Sequence, residues 1–135
     1  MEQIIKEERA MKILVVEPMM IPRVKEIKND LDEYKEIVGG WIEIVYPFDD
    51  KVCVVCNDEA KLIGLPLNRE LEHNGRVYDI IAGTFFVVGI DGEDFRSLTD
   101  EEIEKYSEYY KEPKMFMRTK RGIVAVSAPL IEVLK

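Results

Sequence analysis

Cys53 and Cys56 stand in Val-Cys-Val-Val-Cys, the Cys-x-x-Cys spacing that serves disulfide exchange or zinc binding. Their setting argues against both. The run reads as a strand, where residues three apart point to opposite faces, so the two sulfurs cannot meet at one metal. A four-ligand structural zinc site would have to draw on carboxylates or a partner chain, because there is no second cysteine pair and His73 is the only histidine. Thiols buried in the core are the expectation. His73 lies beside Asn74-Gly75, a turn where a positioned catalytic triad is not expected. The carboxylate groups Asp49-Asp50, Asp58-Glu59 and Asp100-Glu101-Glu102 fall in turns or in a first helical turn, where acidic residues have ordinary structural uses. Gly89 to Asp94 lacks the alternating ligand series of a calcium loop, and the glycines near Gly83 and Gly89 form no dinucleotide fingerprint. No catalytic set, no metal site and no cofactor site is therefore read from the residues.

Asn68, Arg69 and Asp79 carry the one constellation with two readings. Gly64-Leu65-Pro66-Leu67-Asn68-Arg69-Glu70 is hard to place in regular structure, since Gly64 and Pro66 both break a ladder. Asp79 opens an apolar stretch, and a carboxylate entering a core needs a partner, so an Arg69–Asp79 ion pair could close the loop over the sheet. Alternatively, Asn68 and Arg69 present donors to a small anionic ligand or to a partner's carboxylate.

These residues must be held by the segments around them. Tyr78 to Ile90 is rich in β-branched and aromatic residues and is expected as one central strand covered on both faces, with a bulge or close backbone approach at Gly83. Ile13 to Val16 and Arg23 to Ile27 read as strands flanking the loop Pro18-Met19-Met20-Ile21-Pro22. Asn29 or Asp30 caps a helix running to Val38, and Gly39 ends it in the left-handed region. Trp41 to Tyr46 and Val52 to Cys56 form a hairpin, and Lys61 to Ile63 reads as a short strand. Asn74-Gly75 suits a type I′ turn. Thr99 and Glu102 make a capping box, with Leu98 and Ile103 at staple spacing, for a helix from Asp100 to about Lys111. Met115 to Arg118 and Ile123 to Val126 close the pattern as a hairpin. The fold class is α+β: one mixed, mainly antiparallel sheet with two helices, a ββα-β opening loosely like a β-grasp, and a C-terminal hairpin.

The chain has 135 residues, a length that suits one core, and the charged Met1 to Ala10 is expected to be a flexible extension before a single globular domain from residue 11 to 135. A net charge of −8 and a pI near 4.8 argue against nucleic acid as a partner, because phosphate binding rests on Lys and Arg. No apolar run reaches the roughly 20 residues needed to cross a bilayer, which implies no membrane span and a cytoplasmic setting. Charge is uneven: the helix after Thr99 is acidic, whereas Lys114, Arg118, Lys120 and Arg121 make the closing segment basic. Two solvated faces account for this, or an acidic face that meets a basic protein surface.

The series Ile13-Leu14-Val15-Val16-Glu17-Pro18, Val38-Gly39-Gly40, Tyr46-Pro47-Phe48-Asp49-Asp50, Val55-Cys56-Asn57, Gly64-Leu65-Pro66-Leu67-Asn68-Arg69 and Asp79-Ile80-Ile81-Ala82-Gly83-Thr84-Phe85-Phe86 resembles an uncharacterised family, domain of unknown function 3846. The resemblance covers Met11 to about Tyr110, and the segment after Pro113 looks like an addition. It implies a setting in phages, plasmids and conjugative elements of bacteria, and an accessory role in the host cell that includes interference with host defence. It implies no activity for any residue. The expectation is a non-enzymatic protein of a mobile element that binds a host protein, as a monomer or a homodimer. A binder of a small anionic ligand or nucleotide, or an enzyme with an unfamiliar site, are the alternatives.

Overall fold

The structure, a computed structural model, describes residues 10–127. The expectation for the N-terminal extension lies, except for Ala10, outside the described residues. Strand β1 (Met11–Val16) and strand β2 (Arg23–Ile27) form an antiparallel hairpin, followed by helix α1 (Leu31–Val38), β3 (Ile42–Val45) and β4 (Val52–Asn57). Strands β5 (Leu67–His73), β6 (Arg76–Ala82), β7 (Phe85–Asp91) and β8 (Asp94–Arg96) precede helix α2 (Asp100–Tyr109) and the hairpin β9 (Lys114–Thr119) and β10 (Gly122–Ser127). The α+β class, the two helices, the opening order and the closing hairpin agree with the sequence. The strands, however, form three ladders: a main sheet in the order β2-β1-β7-β4-β3 with β8 on the end of β7, and the separate pairs β5-β6 and β9-β10.

Continuous apolar runs occupy the centre of the main sheet because both of its faces are covered. Phe86, Val88, Cys53, Val55, Ile13 and Val15 point to the side held by Tyr34 and Val38 of α1. Phe85, Val87, Val52, Val54, Cys56 and Leu14 point to the other, under Tyr106 and Tyr110 from the α2 end and Leu71 and Ile81 of the small sheet. Cys53 and Cys56 thus lie in opposite cores, as a period of two requires. Both helices start where their caps lie. Asp30 accepts from the Asp32 N–H, Gly39 ends α1 at φ 80°, and the Thr99–Glu102 capping box opens α2. Arg96 grips the same Glu102 through both carboxylate oxygens at 2.8 and 3.0 Å, tying the end of the main sheet to that cap.

Two further expectations fail. Tyr78 to Ile90 is two strands in different sheets, because Gly83 at φ 76° turns the chain and donates its N–H to the Pro66 carbonyl at 2.7 Å. Only the β7 half lies at the centre, and there Phe85 and Phe86 are fully buried on opposite faces. Lys61 to Ile63 is not a strand: these residues continue a run of turns that begins where Asn57 Oδ1 accepts the Glu59 N–H at 2.8 Å. The irregular segment ends at Pro66, after which the chain enters β5. At Gly83 an added Cβ would sit 2.9 Å from Leu65 Cδ1 in a left-handed backbone. Gly83→Ala is expected to lose about 1 to 3 kcal/mol of stability, read as a shifted urea midpoint at unchanged slope.

Candidate functional site

Leu67 pairs with Ala82 and Arg69 with Ile81, so Asn68 is the extra residue of a β-bulge. A bulge interrupts the alternation of a strand, which is how two neighbouring polar side chains both come to face inward. Asn68 is 0% and Arg69 3% exposed. Asn68 Nδ2 donates to the Val16 carbonyl at 2.9 Å and to the Gly83 carbonyl at 2.8 Å. Arg69 Nε and Nη2 donate to the Tyr110 carbonyl at 3.3 and 2.9 Å, Nη2 also to the Met20 carbonyl at 2.7 Å, and Nη1 to the carbonyl and Oδ1 of Asn68 at 3.2 and 2.9 Å. A guanidinium has five N–H donors, and here all five are engaged by the chain's own oxygens.

The expected Arg69–Asp79 ion pair is not formed. The bulge turns Arg69 toward the α2 end, while Asp79 lies at the open rim and pairs with Lys61. The Tyr110 carbonyl closes α2, where the helix dipole concentrates negative charge, and it takes the place of a carboxylate. Burial depresses the Arg69 pKa to about 10, which leaves the side chain charged at neutral pH. The donors that Asn68 and Arg69 could offer to an anion are turned into the fold.

What Arg69 holds is the loop Pro18 to Pro22. Met19 sits at φ 63°, Met20 N–H donates to the Glu17 carbonyl at 3.1 Å, and Arg23 reaches Glu17 across the base of the hairpin at 2.8 Å. Left-handed backbone is costly for a residue with a Cβ and persists where its surroundings demand it. The result is a fixed loop whose side chains face solvent: Met19, Met20 and Ile21 are 49%, 53% and 67% exposed. The sequence places this loop between two strands but assigns it no contact role. The signal was present as three successive large apolar residues between two prolines.

Asp79 belongs to a second feature, a cleft of about 130 Å³ between β3, the turns after β4, and β6. Glu43, Asp58, Glu59 and Asp79 line it against one cation, Lys61, so its charge favours a basic group over an anion. Burial alone would raise the Asp79 carboxyl, but the bonds from Lys61 and the Ile80 N–H outweigh it and hold the group below the usual carboxylate range. Cys56 also borders the cleft, with Sγ donating to the Glu43 carbonyl at 3.6 Å. Burial, reinforced by Glu43, Asp58 and Asp79, pushes its thiol up to about 12, and burial does the same to Cys53, so neither is a thiolate nucleophile near neutral pH. His73 is exposed at the β5-β6 turn. Among the described residues, no group of three or more His, Cys, Asp or Glu side chains is placed to hold a metal ion, and no helix is long and apolar enough to cross a membrane.

The family model described as Domain of unknown function (DUF3846) matches residues 11–111, which takes in the clamp, the loop and the cleft and stops before β9. No curated protein and no solved structure matches the chain.

Arg69→Ala strands several buried carbonyls at once and is expected to lose about 3 kcal/mol or more, with Arg69→Lys losing a comparable amount because an ammonium cannot span the same acceptors. Asp79→Asn breaks only an exposed pair and should cost less than about 1 kcal/mol. Chemical denaturation of the three variants checks both. In the native protein at about pH 8, Cys53 and Cys56 should resist a thiol reagent that modifies both after unfolding.

Proposed function

Because the chain belongs to the family described as a domain of unknown function (DUF3846), a description that carries no activity, we propose its function from its own surface. It is a non-enzymatic binding protein that works by protein contact, and the loop Pro18 to Pro22 is its contact element. One observation carries this reading: a fully engaged, buried arginine fixes a loop whose own three apolar side chains stay in water. A loop serving only to connect two strands needs neither the exposed methionines nor the anchor. Methionine side chains adapt their shape to a partner, and apolar surface held out to solvent is the ordinary mark of an interaction site.

The setting implied by the sequence resemblance supports reading it as an accessory protein of a phage or other mobile element that acts on a host protein in the bacterial cytoplasm, with counter-defence among the roles that setting offers. A small anionic ligand or nucleotide at Asn68 and Arg69 is the weaker reading, because their donors face inward and the neighbouring cleft is acidic.

The test compares wild type with the triple variant Met19→Ser, Met20→Ser, Ile21→Ser as bait in lysate of a bacterial host, read by quantitative mass spectrometry. A stoichiometric partner is expected on wild type and reduced by about tenfold or more on the variant, as for the loss of hot-spot side chains, at an unchanged melting temperature. Equal capture by both baits, or no stoichiometric partner, overturns the proposal.

A further inference from the structure

The hairpin β9-β10 lies outside the matched family region and differs from the rest in charge. From Lys114 to Ser127 there are four basic residues and no acidic one, whereas residues 11–111 hold twelve Lys and Arg against twenty-two Asp and Glu. Arg118, Lys120 and Arg121 are exposed, and among the described residues none of them has a carboxylate within 4.0 Å. Glu43, Asp58 and Glu59 of the cleft are also exposed, and among the described residues none of them has a Lys, Arg or His nitrogen within 4.0 Å. Each patch has its apolar component. Met117 and Val124 are opposite each other in the hairpin and both exposed, and Leu62, in the turns that wall the cleft, is 87% exposed.

The two patches adjoin. Lys61, Asp79 and Ile80 line the acidic cleft and also a neighbouring apolar groove completed by Val77, Tyr78 and Ile123, so β10 borders the surface that the cleft opens onto. Complementary patches side by side on one molecule are what a two-fold axis requires. Rotation about an axis between them sets the hairpin of each copy on the cleft of the other, and the contact closes at two. A two-stranded ribbon half open to water is only marginally stable by itself and gains from such cover.

We propose that the chain forms a two-fold dimer in which the basic hairpin of each copy docks on the acidic cleft of its partner, and that the second copy is the occupant of both surfaces. The loop Pro18 to Pro22 takes no part, so this proposal stands or falls separately from the protein-contact reading.

Analytical ultracentrifugation of the full chain tests it. A dimer is expected at about 50 mM NaCl, with a dissociation constant raised at least roughly tenfold at about 500 mM, since exposed charges are screened. The reversals Lys120→Glu/Arg121→Glu and Asp58→Lys/Glu59→Lys should each give a monomer with an unchanged melt. Mixing the two variants should restore a dimer, because each hairpin then meets a cleft of opposite sign. A wild-type monomer at both salts, a dimer indifferent to either reversal, a mixture that stays monomeric, or assembly past two copies would each overturn it.

Discussion

One buried cation, Arg69, joins the layers of this protein. Removing a charged group from water costs several kcal/mol unless its bonds are replaced, and Arg69 replaces them with oxygens drawn from three separate parts of the chain. One is the α2 terminus, one the loop of the first hairpin, and one the bulge that carries Arg69 itself. Through Asn68 the same bulge also reaches the end of β1 and the turn between β6 and β7. The small sheet is therefore seated on the large one by polar bonds of fixed direction, in addition to the apolar contact of Leu71 and Ile81. Apolar burial alone is non-directional and would not set the angle between two sheets.

The main sheet then serves as a floor with a different cover on each side. On one side the Tyr34 ring lies 5.7 Å from that of Phe86 and 5.3 Å from that of Phe95, and on the other Tyr110 packs edge-on to Phe85 at 5.2 Å. A glycine makes room for one side chain that crosses the sheet. A Cβ at Gly89 would meet the Arg96 guanidinium at 2.3 Å, and that guanidinium must cross there to reach Glu102. Asn57 plays a comparable part at the other end, donating to the Val38 carbonyl at 3.1 Å and thereby joining the end of α1 to the turns of the cleft. The polar groups of the interior are satisfied: among the described residues no buried side-chain nitrogen or oxygen lacks a partner.

Chemistry follows from where the polar groups were used. The arginine and asparagine best suited to hold an anion are consumed in assembly, and the cysteines are raised out of reactivity by the cores they fill. What remains for contact is surface: a pinned apolar loop, an acidic cleft and a basic ribbon beside it. The proposed contact with other polypeptides rests on that distribution of shape and charge.

By itself, the sequence determined several features set by neighbours a few residues apart. The capping box at Thr99, the left-handed Gly39, the Asn74-Gly75 turn with φ of 52° and 77°, the closing hairpin, and the opposite faces of Cys53 and Cys56 are all such features. Tertiary structure alone decided that Tyr78 to Ile90 divides between two sheets, that the segment around Asn68 is a bulged strand, and that Arg69 leaves Asp79 to Lys61. Each depends on acceptors remote in the chain: the Tyr110 carbonyl lies 41 residues from Arg69, the Met20 carbonyl 49, and the Val16 carbonyl 52 from Asn68. Period and propensity describe a residue's own segment, whereas the partner of a buried charge is chosen by whichever oxygens the completed fold brings within reach.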